Sequence, residues 1–273
     1  MCMPAGDLDV FLSGFMIRAL IAVVMSSILS AVIGSFAVVR GLSTMGAAVA
    51  HASLAGALLG FLLNKDPTTS ALVLSILFAV AAAYSGEKSR GRMDIVLGVT
   101  FGFSAAIAAL SLSMTREYTV AAYSYLIGDV LGVSWNEVAI QSVFSFASLL
   151  IIYLFYKEFK FISFDMEAAE AMGLRTRLYH YTMVVLLAVA MVVELKVVGS
   201  ILAVVFLVAP AASALEMASN MEKIITLSVS IALISSLSGI MLSVFFNVPT
   251  GPTIGIIASL IYLLALLLSP KRK

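Results

Sequence analysis

The sequence has 273 residues, of which 62% are hydrophobic and only 11% are charged, and its mean hydropathy is +1.12. A soluble domain carries roughly 25% charged residues, so most of this chain's surface must face lipid. The net charge of +1 argues against nucleic acid as a partner, and a single cysteine excludes an intramolecular disulfide and a cysteine-rich metal site. We therefore predict an all-α fold: a polytopic transmembrane helical bundle that forms one domain over residues 1–273.

Long apolar runs follow one another along the chain, and a run of ~20 such residues is enough to cross the hydrocarbon core. Nine runs are present: 12–39, 45–63, 68–86, 94–114, 134–156, 178–194, 198–216, 223–246 and 252–268. Pro210 interrupts the seventh run, and a bent or re-entrant helix there would leave eight full spans. The expected number of spans is therefore eight or nine.

The distribution of basic residues predicts the orientation of the spans, because loops on the cytoplasmic side carry an excess of lysine and arginine. If the N-terminus lies outside, twelve of the sixteen basic residues fall on the inside: Arg40, Lys88, Arg90, Arg92, Lys157, Lys160, Arg175, Arg177, Lys223, Lys271, Arg272 and Lys273. This asymmetry favours an odd number of spans with the C-terminus inside.

The longest polar connection is the segment 157–177, which this orientation places in the cytoplasm. Asp165 has the side chain of a helix N-cap, the stretch 166–172 is rich in Ala and Glu, and Gly173 suits the position just after a helix end. A short amphipathic helix is therefore predicted here. It is either a plain interfacial helix or a docking element for a cytoplasmic partner.

The second run carries a histidine at membrane depth, His51, whereas the other histidine, His180, falls near the cytoplasmic end of a span. An ionisable side chain inside the membrane is costly and is a hypothesis for a functional site by default. His51 is therefore either a ligand or pathway residue, or a hydrogen-bonded structural residue. Small residues recur every fourth position beside it, at 48, 52, 56 and 60, and indicate close helix packing.

Two carboxylates near the membrane need an interpretation. Asp129 follows Gly128 between the fourth and fifth runs, and it either lines a pathway or caps a short helix. Glu194 stands at the outer end of the sixth run, where we expect it to pair with Lys196 or to lie among lipid headgroups. The sequence contains no phosphate-binding glycine loop and no His-Glu-x-x-His motif, so nucleotide hydrolysis would have to occur in another chain.

Five short motifs follow one another along the chain: GAAVAHASLAG at 46–56, LIGDVL at 126–131, FDMEAA at 164–169 with MGL at 172–174, VG at 198–199 with APAASA at 209–214, and PTGPT at 249–253. In this order and spacing they resemble one family, the ABC-transporter permeases that import zinc, manganese or iron. The resemblance implies a transport subunit of the cell membrane that is not itself an enzyme, has no bound cofactor, and has a divalent metal ion as its cargo. It also implies a permease homodimer, two cytoplasmic ATP-binding subunits and an extracytoplasmic metal-binding protein.

The resemblance assigns roles to particular residues. His51 would bind the metal in the translocation path, with Asp129 as a further candidate, and the ATP-binding subunits would dock at Asp165, Glu167, Glu170 and Gly173. The chain departs from the family pattern at Ala47, where the family usually has an aspartate that shares a helix face with the histidine.

Other functions stay open, and the missing aspartate favours one of them, the transport of a metal chelate. A permease of the same architecture could carry a metal chelate such as a siderophore or cobalamin. A stand-alone secondary transporter would need internal inverted repeats or several intramembrane charges, and an intramembrane enzyme would need a catalytic partner for His51. If the cargo is a bare metal ion, either another helix supplies oxygen ligands or the path binds it only transiently.

Overall fold

The protein is a bundle of helices in a computed structural model that describes residues 14–88, 93–114, 124–128, 130–269 and 271. We number the longer described helices in chain order: α1 Gly14–Val39, α2 Ser43–Leu62, α3 Pro67–Lys88, α4 Met93–Met114, α5 Trp135–Leu154, α6 Tyr156–Phe164, α7 Met166–Ala171, α8 Thr176–Val197, α9 Ser200–Met217, α10 Met221–Phe246 and α11 Thr250–Leu268. No strand occurs in this described part of the chain, so the all-α prediction is confirmed.

Eight of these helices are long and apolar enough to cross a membrane, namely α1, α2, α3, α4, α5, α8, α10 and α11. The uncertain seventh run forms α9, a continuous helix with Pro210 in its interior and a shorter apolar stretch, Leu202–Met217. It packs against α1, α2, α10 and α11 and is therefore a buried element of the bundle. The helix in the predicted span 134–156 is shorter than expected, because α5 ends at Leu154 and α6 begins at Tyr156.

Successive long helices run in opposite directions, which gives the bundle two ends. We call one end upper; it holds the start of α1, the turn between α8 and α9, and the turn before α11, and Met16, Gly128 and Thr250 line a common cavity there. The lower end holds α6, α7 and the end of α11, where the Ser269 hydroxyl donates to the Glu216 carbonyl. The positive-inside rule predicts that the lower end is cytoplasmic, and this orientation stays a prediction.

The bundle has a central layer and a peripheral one. About two thirds or more of the apolar window of α1, α2 and α8 is buried, but only a third or less of α3, α4, α5, α10 and α11. The largest core cluster joins α1, α2, α8 and α9 through side chains that include Ile33, Met45, Met191 and Leu207. The peripheral helices therefore offer apolar side chains to lipid, as the composition predicts.

Candidate functional site

His51 lies in the ninth position of α2, well inside the predicted membrane, as expected from the sequence. Its ring is half-buried and meets the ring of Phe101 on α4 edge to face, with 4.7 Å between the ring centroids. Next to this contact, the Ser104 hydroxyl of α4 lies 3.3 Å from the Ala48 carbonyl oxygen of α2. The imidazole is thus held between α2 and α4, and its side chain remains partly accessible.

His51 does not belong to a dense cluster of metal ligands. Within the described ranges, no group of three or more His, Cys, Asp or Glu side chains could hold a metal ion. Ala47 stands one turn below His51 on the same helix and offers no ligand atom. Asp129, the second candidate ligand, lies outside the described residues, so its proposed role remains untested. A cation beside His51 would therefore need oxygen ligands from elsewhere.

The small residues of α2 serve packing, as their spacing indicates. A Cβ atom added to Gly56 would lie 2.6 Å from the Ser70 carbonyl oxygen of α3, and one added to Gly60 would lie 2.9 Å from the Pro67 Cα. Ala48 and Ala52 are fully buried. Gly56 and Gly60 therefore let α3 approach α2, the helix that carries His51, closely.

The prediction for Glu194 is wrong. Its side chain is fully buried, and neither carboxylate oxygen has a hydrogen-bond partner in the described part of the chain. The physical reason is that other backbone segments pack on the turn after α8: a Cβ on Gly128 would lie 2.4 Å from the Val198 carbonyl oxygen, and one on Gly251 would lie 2.9 Å from the same oxygen. The backbone at residues 124–128 and the start of α11 therefore cover the upper end of α8.

The lower end carries the predicted short helix, α7, and its ends have the expected caps. The Asp165 carboxylate accepts a hydrogen bond of 2.8 Å from the Ala168 amide at the start of the helix. At the other end Gly173 has a φ of +85°, its amide donates to the Glu170 carbonyl, and the Leu174 amide donates to the Ala169 carbonyl. This pair of hydrogen bonds is a Schellman motif, which requires the left-handed conformation that glycine adopts most easily.

The surface of α6 and α7 combines acidic and apolar side chains. Asp165, Glu167 and Glu170 are exposed, and so are the large apolar side chains of Phe164 and Met172. Ala169, in contrast, is fully buried and attaches α7 to the bundle. The surface therefore offers negative charge and apolar area together.

An ion pair connects α6 to the start of α10. The Lys160 ammonium donates to the Glu222 carboxylate. Burial and the nearby Glu222 carboxylate raise the pKa of Tyr156 to about 12, so its hydroxyl stays protonated at physiological pH. The pair ties the segment before α7 to a long helix of the bundle.

Arg40 and His180 meet at the lower end, a contact that sequence analysis did not predict. The Arg40 guanidinium donates a 2.6 Å hydrogen bond to Nδ1 of His180, and both residues line a cavity of about 450 Å³ that Phe164 and Met166 also line. Because arginine is a donor only, the imidazole accepts this bond. The contact links the end of α1 with the start of α8, and no sequence pattern signals a pairing between residues so far apart.

Comparison with known proteins places this architecture in one family. The model of the ABC 3 transport family matches residues 13–269. The manganese transport system membrane protein MntC of Listeria innocua is 33% identical over 259 residues, which are 95% of this chain and 92% of that protein. The chelated iron transport system membrane protein YfeD of Yersinia pestis is 31% identical, over 93% of this chain and 85% of that protein.

A solved structure agrees with these sequence relatives. The structure described as PsaBC from Streptococcus pneumoniae in complex with Fab superposes with a TM-score of 0.88 at 31% identity, over 98% of this chain and 97% of that chain. The match of the family model spans α1 to α11, including His51, α7 and the upper turn after α8. The chain belongs to the ABC 3 transport family.

Proposed function

We propose that the chain is the membrane-spanning permease of an ATP-driven importer that carries a divalent metal ion, with manganese as the first candidate. The single observation that carries this proposal is the imidazole of His51, half-buried at membrane depth on α2. Imidazole is a ligand for first-row transition metals, and an ionisable group at this depth is unfavourable without a role. The relative named for manganese supports this class of cargo, and the relative named for chelated iron supports metal transport in general.

As a member of this family the chain is a multi-pass membrane protein and a transport component, and an ATP-binding partner supplies the energy. The proposed assembly contains two copies of the permease, two ATP-binding subunits and an extracytoplasmic metal-binding protein. The exposed acidic and apolar surface of α6 and α7 is the proposed contact with the ATP-binding subunits. ATP binding would shift the permease between states open at opposite ends.

The test of the proposed cargo is uptake of radioactive manganese, iron and zinc into liposomes that contain the permease with its ATP-binding subunit and binding protein. We expect His51→Ala to lower uptake of the preferred metal by at least about tenfold, as loss of a metal-binding side chain does elsewhere. The matched control is Phe101→Leu, which removes the ring that contacts His51 but leaves the imidazole in place. It should keep most of the uptake.

Three results would contradict the proposal. The first is wild-type uptake in the His51→Ala variant, provided that the complex is intact. The second is equal loss in His51→Ala and Phe101→Leu, which would assign the effect to packing between α2 and α4. The third is transport of a siderophore or cobalamin complex without transport of any bare metal ion, which would favour the chelate permease.

A further inference from the structure

Glu194 is a carboxylate in the interior of the bundle, and the function proposed above gives it no role. Glu194 is 0% exposed, and neither of its oxygens has a hydrogen-bond partner among the described residues. An ionised carboxylate without a partner is strongly unfavourable in an apolar interior. Glu194 must therefore hold a proton or a bound cation.

Four buried serine hydroxyls share this lack of partners; Ser145 lies on the peripheral helix α5, and the other three lie on α1, α2 and α9. Ser30 of α1, Ser53 of α2 and Ser200 of α9 are each 0% exposed, and their Oγ atoms have no partner in the described part of the chain. A serine inside a helix usually donates to the carbonyl four residues earlier, as Ser27 and Ser35 of α1 do here. Hydroxyls that are buried and unused are available to a ligand.

Helix register places the three serines around one point. Leu207 of α9 packs between Gly34 of α1 and Gly46 of α2: a Cβ on Gly34 would lie 2.0 Å from the Leu207 carbonyl oxygen, and one on Gly46 would lie 2.8 Å from its Cδ2. Ser30 precedes Gly34 by four residues, Ser53 follows Gly46 by seven, and Ser200 precedes Leu207 by seven. Separations of four and seven keep a residue on the same helix face.

The directions of the helices bring these faces to one level. Each serine lies nearer the upper end of the bundle than the contact at Leu207 does. At 1.5 Å of rise per residue, the distance along the helix axis is about 6 Å for Ser30 and about 10 Å for Ser53 and Ser200. The three hydroxyls therefore lie within about one helical turn of one another in depth.

The face of α8 that carries Glu194 points toward the same region. Leu187 and Met191 precede Glu194 by seven and three residues, and both belong to the core cluster that contains Leu207. Glu194 lies four residues, about 6 Å, below the turn at Val198, so its depth falls between those of Leu207 and Ser200. His51, five residues above Gly46, has a similar depth but is turned toward α4.

We propose that Glu194, with the hydroxyls of Ser30, Ser53 and Ser200, forms a cation site inside one protomer, apart from the imidazole of His51, so that the bundle holds a buried carboxylate although Ala47 offers none. This inference rests on the proposed function and narrows its cargo. Carboxylate and hydroxyl oxygens suit Mn²⁺ better than the softer metals. One charge and three neutral hydroxyls bind weakly, and release is necessary for transport. When the metal ion leaves, a proton takes its place on Glu194.

The test measures Mn²⁺ binding to the purified complex of the permease with its ATP-binding subunit, by electron paramagnetic resonance of free Mn²⁺, together with manganese uptake in liposomes. We expect Glu194→Gln, which keeps the size of the side chain, to weaken binding and uptake by at least about tenfold. Glu222→Gln, which removes an exposed carboxylate at the lower end, is the control and should bind Mn²⁺ as wild type does.

The inference is overturned if the Glu194→Gln variant binds and takes up Mn²⁺ as wild type does. It is also overturned if Glu222→Gln loses as much Mn²⁺ binding as Glu194→Gln. If Glu194→Gln does not fold, Ser53→Ala and Ser200→Ala decide: each should weaken Mn²⁺ binding severalfold, and unchanged binding in both refutes the site. The proposed function fails separately if the wild-type complex transports no metal ion. In that case, Mn²⁺ binding that depends on Glu194 would still support the site.

Discussion

At the contact between α1 and α9, the substitution Gly34→Ala sets close packing against helix propensity. The sign of its effect on the free energy of unfolding shows which of the two is larger. A Cβ on Gly34 would lie 2.0 Å from the Leu207 carbonyl oxygen, although such contacts are rarely closer than 3.0 Å. In Gly34→Ala the two helices must therefore separate by about 1 Å, and overpacking of this kind costs roughly 1–3 kcal/mol. The gain in helix propensity offsets about 1 kcal/mol of this cost. We expect a net destabilisation of up to about 2 kcal/mol.

The matched control is Gly98→Ala on α4, where an added Cβ meets nothing within 4 Å. Only the gain in helix propensity applies to this variant, so its free energy of unfolding should stay the same or rise by up to about 1 kcal/mol. The measurement is the thermal unfolding midpoint of each purified variant in detergent, with wild type alongside. Gly34→Ala should lower the midpoint by several degrees and Gly98→Ala should not lower it. Shifts of the same sign and size in both variants would refute the close contact between α1 and α9.

Two further predictions concern local geometry. Gly173→Ala should lower the metal-stimulated ATPase activity of the complex, because the left-handed conformation at this position costs a residue with a Cβ about 1–2 kcal/mol. Gly173→Asn should retain more activity, because asparagine adopts this conformation more easily than alanine. Equal effects of the two variants would contradict the role of Gly173 as a helix cap. The hydroxyls of Ser27 on α1 and Ser236 on α10 lie 2.8 Å apart. A double-mutant cycle with alanine should therefore give a coupling of about 0.6 kcal/mol in the free energy of unfolding. A coupling indistinguishable from zero would show that only the hydrogen bonds of these serines within their own helices contribute to stability.

Features governed by local sequence were predictable. The long apolar runs became helices close to the expected bounds, because the length of an apolar run and the spacing of its polar neighbours decide where a membrane helix begins and ends. The short helix α7 followed from Asp165 and Gly173, since both caps act within a few residues of their own position.

Features that depend on contacts between distant segments were not predictable in this way. Glu194 stands near the end of an apolar run, where headgroups are the usual surroundings, and only the approach of Gly128 and Gly251 to the turn after α8 buries it. An ionisable group at membrane depth indicates a functional site, so Glu194 would have been a candidate if its depth had been known from the sequence. The pair of Arg40 and His180 likewise depends on the meeting of α1 and α8.

The burial of the site around Glu194 also makes it useful for following the transport cycle. Its walls come from α1, α2, α8 and α9, so a small reagent cannot enter sideways from lipid and must come along the axis of the bundle. The chain contains one cysteine, Cys2, so a single replacement removes every native thiol. A cysteine introduced at Ser200 would then be the sole labelling position, and its rate of alkylation by a membrane-impermeant reagent would report when the upper end is open.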